Sequence, residues 1–250
     1  MSVLLRLLGF VLLLAIAVAA LAPATLLAPA IARETGGALA LVEAAGTVWN
    51  GRGTLLVGGE RVPVAWQVER AALLGGELAA RLTGQDPAHP MPRARLAASR
   101  DRLAASEVEI ELPAAAMLPA AGTPAPVVLG GTLRLRAAAL ERRVNGMAGG
   151  ADLAWDGARI RLAVAPDSFD LGSVAIALTG SGDRLRGPVT NRGGSVALIG
   201  EASIDSRGAV ALDVLATPRA PLEPATAALL RSLGRPEGEG WRLQWPARPR

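Results

Sequence analysis

The sequence predicts a mainly β protein: an N-terminal transmembrane helix, then an extended antiparallel β-sheet domain, then one short helix near the C-terminus. Three observations carry this. Charged residues are absent from Leu7 to Ala32. Beyond Glu34, apolar residues recur with a period of two between Gly, Pro, Asn and Asp clusters, the signature of strands that bury one face. Only residues 222–233 carry a helical apolar spacing with start and stop signals.

The N-terminal stretch is long enough to span a bilayer, because about 20 apolar residues at about 1.5 Å each match the hydrocarbon core. Pro23 and Pro29 predict an end or kink beyond the span. Arg6 lies just before it, so the positive-inside rule places the N-terminus in the cytoplasm and the bulk of the chain in the periplasm, single-pass at the inner membrane; Arg33 opposes that vote. The alternative is a signal peptide cleaved near Ala17-Val18-Ala19. Either way residues 34–250 are exported, and residues 1–33 form the anchor or uncleaved signal.

In chain order, Thr54 to Val57 and Val62 to Val68 flank Gly58-Gly59-Glu60-Arg61 and read as a hairpin, with Pro63 expected on an edge strand. Gln85 to Ala94, with Pro87, Pro90 and Pro92, reads as a loop. Val108, Ile110 and Leu112 form the buried face of a strand whose solvent face carries Glu107, Glu109 and Glu111. Ala114 to Leu118 reads as a short helical turn. Leu153 and Trp155 precede Asp156-Gly157, and Ile160, Leu162 and Val164 follow; because Asp-Gly favours a turn with positive φ, this reads as a second hairpin. Val174, Ile176 and Leu178 mark another strand. Val196 to Ile204 turns at Asp205-Ser206-Arg207-Gly208 into Val210 to Val214. Pro224 falls in the first turn of the predicted helix, Ala227, Leu230 and Leu233 share a face, and Gly234 with Pro236 stops it. Gly240 to Trp245 is then a last strand closing an edge.

Leu74 to Gly84 is similar to Leu171 to Gly180, Ala65-Trp66 to Ala154-Trp155, and Gly46-Thr47-Val48 to Gly131-Thr132-Leu133. Two related halves, 34–113 and 127–250, would produce this, as would chance in a chain rich in Ala, Leu and Gly.

Composition narrows the chemistry. Apolar residues make up 51% of the chain but aromatics only 3%, so a core must be built from Ala, Val, Leu and Ile. Every basic residue is Arg, spread along the chain without stacking aromatics, which argues against nucleic-acid binding. With no cysteine there are no disulfides and no thiolate sites. His89 is the sole histidine, in Asp86-Pro87-Ala88-His89-Pro90, and it has no cluster around it to hold a metal or serve a nucleophile. Gly75-Gly76 and Gly193-Gly194 lack the Lys and helix of a phosphate loop and read as turns. No catalytic, cofactor or metal residue is therefore assigned, and no small-molecule substrate is expected. Trp49, Trp66 and Trp155 read as core residues, whereas Trp241 and Trp245 are more open to a partner.

Gly46-Thr47-Val48-Trp49-Asn50-Gly51-Arg52-Gly53 resembles the start of the periplasmic region in the type II secretion system protein N family. Val64-Ala65-Trp66-Gln67-Val68, Leu73-Leu74-Gly75-Gly76, Asn191-Arg192-Gly193-Gly194-Ser195-Val196, Thr217-Pro218-Arg219 and Leu229 to Gly234 extend the likeness in order along the chain. Gly46, Thr47, Trp49, Gly51, Gly53, Trp66, Gly193 and Gly194 are the motif positions, with structural roles. The resemblance implies a non-catalytic, bitopic inner-membrane accessory protein of the type II secretion machinery, whose β-domain contacts platform or secretin subunits and which has no cofactor. The absence of Tyr departs from the family pattern. A reading of a different class fits the same alternation: a periplasmic lipid-handling module whose β-groove shelters an acyl chain.

Overall fold

The computed structural model describes residues 20–85, 92–117, 127–162, 168–222 and 224–245. The expected membrane span falls largely on residues 1–19, outside the described residues, as do His89, Pro87, Pro90, Leu118 and Val164. Among the described residues no helix is long and apolar enough to cross a membrane.

The fourteen strands among the described residues form one antiparallel sheet. They are β1 (Leu39–Gly46), β2 (Asn50–Val57), β3 (Glu60–Val68), β4 (Leu78–Gly84), β5 (Arg93–Ala98), β6 (Arg102–Pro113), β7 (Val127–Arg143), β8 (Gly146–Leu162), β9 (Ser168–Ser181), β10 (Arg184–Arg192), β11 (Val196–Asp205), β12 (Val210–Pro218), β13 (Gly234–Glu237) and β14 (Gly240–Trp245). The first twelve follow one another across the sheet, then β14 pairs with β12 and β13 lies outermost. Among the described residues the helices α1 (Leu27–Glu34), α2 (Arg70–Leu74) and α3 (Pro224–Leu233) accompany it, besides 3-10 turns at Ala24–Leu26 and Ala114–Met117. The meander makes successive connections alternate between two ends. The end that holds the β1–β2, β5–β6 and β7–β8 turns is here the head, and the opposite end is the foot.

One face is apolar across the sheet, as the register shows. Ile110 lies opposite Leu135, Leu135 opposite Leu153, Leu153 opposite Ile176 and Ile176 opposite Val189. The row continues through Gly200 and Val214 to Leu243. A one-residue slip would turn every later side chain to the other face. Bulges make such slips in compensating places: the non-glycine residues Glu43 and Glu107 take positive φ, and each extra residue keeps Leu41 with Ala44, and Ala105 with Val108, in common apolar clusters. A flat single layer would leave this face open. Here the Arg142 guanidinium reaches the Ser206 carbonyl at 3.0 Å although β8, β9 and β10 lie between, so the sheet curls.

Helices close the apolar face at both ends of the strand order. Leu27, Ala28 and Ile31 of α1 pack with Ala24 on Leu41, Leu55, Trp66 and Leu82. Leu230 of α3, 1% exposed, completes the largest cluster with Val196, Leu198, Val214 and Ala216.

Four sequence expectations are corrected. Asp156-Gly157 is a bulge inside the 17-residue β8, not a hairpin turn, because Gly130 and Thr132 of β7 pair with Arg159 and Asp156 straight across it. Pro63 sits in an interior strand. Its carbonyl accepts from Gln85 just past the end of β4, so its missing N–H faces no strand residue. The edge is closed by β13, which follows α3 at once, and β14 is interior. The expected loop from Gln85 to Ala94 ends earlier, since β5 begins at Arg93. The hairpins at Gly58-Gly59 and Asp205 to Gly208, the short turn after Pro113 and the Pro224 helix are observed.

Candidate functional site: two tryptophan nodes and a charged sheet face

Six of the eight motif residues meet at the head. Gly46 ends β1, and Thr47 organises the turn into β2: its Oγ1 accepts from the N–H groups of Asn50 (3.1 Å) and Trp49 (3.3 Å). The Trp49 carbonyl then accepts from the Val68 N–H at 2.7 Å, tying the turn to β3. Trp66, 6% exposed, lays its ring on β2 and donates Nε1–H to the Thr47 carbonyl at 3.2 Å. Gly51 lies opposite Trp66, and a Cβ there would stand 2.5 Å from Trp66 Cζ2. Glycine is thus required by the ring's close approach. Gly53 makes the same room for Leu41.

A second node repeats the device. Trp155 on β8 donates Nε1–H to the Gly130 carbonyl at 2.8 Å, beside the Gly131-Thr132 pair that matches Gly46-Thr47 in the sequence.

Gly193 and Gly194 lie at the foot, in the β10–β11 turn, remote from the other six. Their neighbour Asn191, part of the sequence likeness but given no role there, is the polar residue that ties this end together. Its Nδ2 donates to the carbonyls of Leu171 (2.7 Å) and Val196 (2.9 Å), while Oδ1 accepts from the Leu198 N–H (2.8 Å) and from Arg219 (3.3 Å). One side chain thereby joins β9, β10, β11 and the exit of β12. Its place just before a glycine turn was the available signal.

The opposite face of the sheet is charged and internally paired. Glu69 receives Arg95 through two nitrogens (3.1 and 2.9 Å) and Arg81 at 3.0 Å. Glu77 touches Arg95 and Arg102, and Arg102 continues to Glu141, which also holds Arg143. Lower down, Glu109 bridges Arg93 and Arg136, and Arg134 bridges Glu111 and Asp156. Hydrogen bonds from Arg61, Arg95 and Arg143 hold the carboxyls of Glu43, Glu69 and Glu141 below the usual carboxylate range. These shifts come from ion pairs with neighbouring arginines on an open face, not from a cleft that would poise an acid or base. Among the described residues no group of three potential ligands could hold a metal ion.

A family model described as type II secretion system (T2SS), protein N, matches residues 37–244, which takes in both nodes and every described strand as far as Gln244 of β14. The chain belongs to that family. As a type II secretion system protein N, it is a component of a protein-secretion machine of the cell envelope. No curated protein and no solved structure matches the chain. Within the T2SS protein N match lie Gly46, Thr47, Trp49, Gly51, Gly53 and Trp66 as well as the Asn191 cluster, so the family region and the pieces that hold this sheet together coincide.

Proposed function

We propose that this chain is a non-catalytic accessory part of the type II secretion machinery, which tethers a periplasmic β-domain to the inner membrane and contacts platform or secretin subunits. The family match across the whole sheet carries the reading. The apolar stretch from Leu7, with Arg6 before it, supports an N-terminus in the cytoplasm. An open sheet supports action by contact, since an edge strand offers backbone N–H and C=O groups to a partner strand. The two edges differ in this respect. Short β13 carries Pro236, which blunts pairing, whereas β1 runs for eight residues. We also read the domain as two related halves, 34–113 and 127–250, each with its own tryptophan node.

In cells carrying the secretion operon, a photo-crosslinker placed along β1 is expected to capture a platform or secretin subunit. Capture of neither, with the protein folded and present at native level, overturns the reading.

The lipid-handling alternative has one observation in its favour: between α1 and α3 the apolar face carries Leu78, Leu96 and Leu103 about half exposed. Native mass spectrometry of the protein extracted with its membrane segment separates the two, because a co-purifying lipid that disappears on Leu96→Glu belongs only to the alternative.

A further inference from the structure

Exposed apolar side chains are normal when scattered singly over a soluble surface; their confinement to one region is what carries information. In this chain most of them gather at the head, while Ile199 on β11 and Leu96 on β5 stand apart from it. Leu21 is 74% exposed, Leu74 93% and Val144 83%. Leu73, Leu78 and Leu103 stand beside them, exposed by 39 to 50%. They come from the chain entering β1, from α2, from the first residue of β4, from the start of β6 and from the β7–β8 turn, elements that lie together only because the meander returns to the head at every second connection. Among the described residues, the foot connections at 58–59, 114–116, 193–195, 219–222 and 238–239 expose no large apolar side chain. Turn tips ordinarily take Gly, Asn, Asp or Ser for backbone reasons, so a bare Val144 and an almost wholly solvated Leu74 need another cause.

The route of the N-terminal segment supplies one. The Val48 N–H donates to the Ala22 carbonyl at 2.9 Å, and Pro23 pairs with Thr47, so the uncharged stretch that starts at Leu7 reaches the sheet at the head. Hydrogen bonds and ion pairs run from this junction along the same end: Trp49 to Val68, Glu77 to Arg102, Arg102 to Glu141. Arg70, Arg100 and Arg143 are exposed at this end beside the apolar tips together with Asp101, while the acidic Glu69, Glu77 and Glu141 are drawn into ion pairs and less exposed. Apolar tips among arginines are the composition of a membrane-interface surface, where rings and alkyl groups enter the acyl boundary and guanidinium groups stay at the headgroups.

We infer that the head of the sheet from β1 to β8 is a second membrane contact, seated on the lipid bilayer through Leu21, Leu73, Leu74 and Val144, so that the strands stand steeply on the membrane. The inference rests on the tether proposed above and adds an orientation to it. With the head seated, β7 and β8 carry the foot roughly 50 Å away at about 3.3 Å per residue, toward any partner across the periplasm.

The chain contains no cysteine, so single spin labels report single positions. Full-length protein is reconstituted in vesicles of equal parts phosphatidylethanolamine and phosphatidylglycerol, carrying Leu74→Cys, Val144→Cys, Glu60→Cys at the foot, or Leu12→Cys in the apolar stretch. Oxygen and nickel-chelate accessibility is then read at each label. The expected result is severalfold greater oxygen over nickel accessibility at Leu12, Leu74 and Val144 than at Glu60. An inserted Leu12 label with Leu74 and Val144 as aqueous as Glu60 overturns the seated head and leaves the tether intact; the apolar tips then face protein. Aqueous labels at all four positions overturn the tether and the seated head together.

Discussion

Trp66 and Gly51 face each other across the β2–β3 pair, with the indole filling the space that a side chain at 51 would occupy. The same indole donates to Thr47 in the turn that starts β2. One aromatic side chain therefore fixes a turn, a strand register and the seat of α1 at once.

Gly51→Ala is expected to destabilise the domain by about 1–3 kcal/mol, since the added methyl meets both the Trp66 ring and the Ala45 carbonyl and neither has room to yield. Urea denaturation of the variant measures this. A midpoint equal to wild type would mean that the ring moves freely.

At the foot, Asn191→Leu keeps the branched shape in a somewhat larger side chain and removes five hydrogen bonds, leaving the carbonyls of Leu171, Gly193 and Val196 and the Leu198 N–H to find other partners. A loss of about 1–3 kcal/mol is expected. Asn191→Asp separates the donor from the acceptor role, because Oδ1 is retained while Nδ2 is replaced by an oxygen facing three carbonyls; it is expected to lose stability as well.

Leu230 closes the largest core cluster from α3. Leu230→Ala is expected to cost about 2–5 kcal/mol, the range for a buried leucine whose cavity does not collapse. Faster amide exchange concentrated in β11 and β12, which supply Val196, Leu198, Val214 and Ala216, is the accompanying signature.

The charged face sets a pH dependence. Glu69 and Glu141 are depressed in the folded state, so as pH falls the unfolded chain takes up protons first, and stability present above the ordinary glutamate value of about 4.3 is lost as pH drops through the folded values. Denaturation midpoints are therefore expected to fall on acidification below about pH 5. Glu69→Gln should flatten that fall, and an unchanged pH profile in the variant would falsify the assignment.

Much of this fold was legible because its causes are local. Val196, Leu198, Ala202 and Ile204 share one face, as do Val210, Leu212 and Val214, and Asp205 caps the turn between them with its own side chain, its Oδ1 accepting from the Arg207 and Ala209 N–H groups at 2.9 Å. Pro224 opens α3 and Gly234 ends it. The paired likenesses Gly46-Thr47 with Gly131-Thr132, and Ala65-Trp66 with Ala154-Trp155, marked the pieces from which both tryptophan nodes are built. Asp156-Gly157 misled because a tight turn and a bulge both ask for positive φ at Gly157, and only the length of β7 alongside tells them apart.

By itself the sequence determined that residues beyond Glu34 form an antiparallel sheet whose strands bury one face, since alternation and turn chemistry act between near neighbours. The tertiary structure alone decided which strands lie at the edges, which carbonyls Asn191 gathers, and that Leu21, Leu74 and Val144, far apart in the chain, share one end of the sheet. Those outcomes depend on register accumulated across many strands, and a single bulge shifts it in a way that no local pattern records.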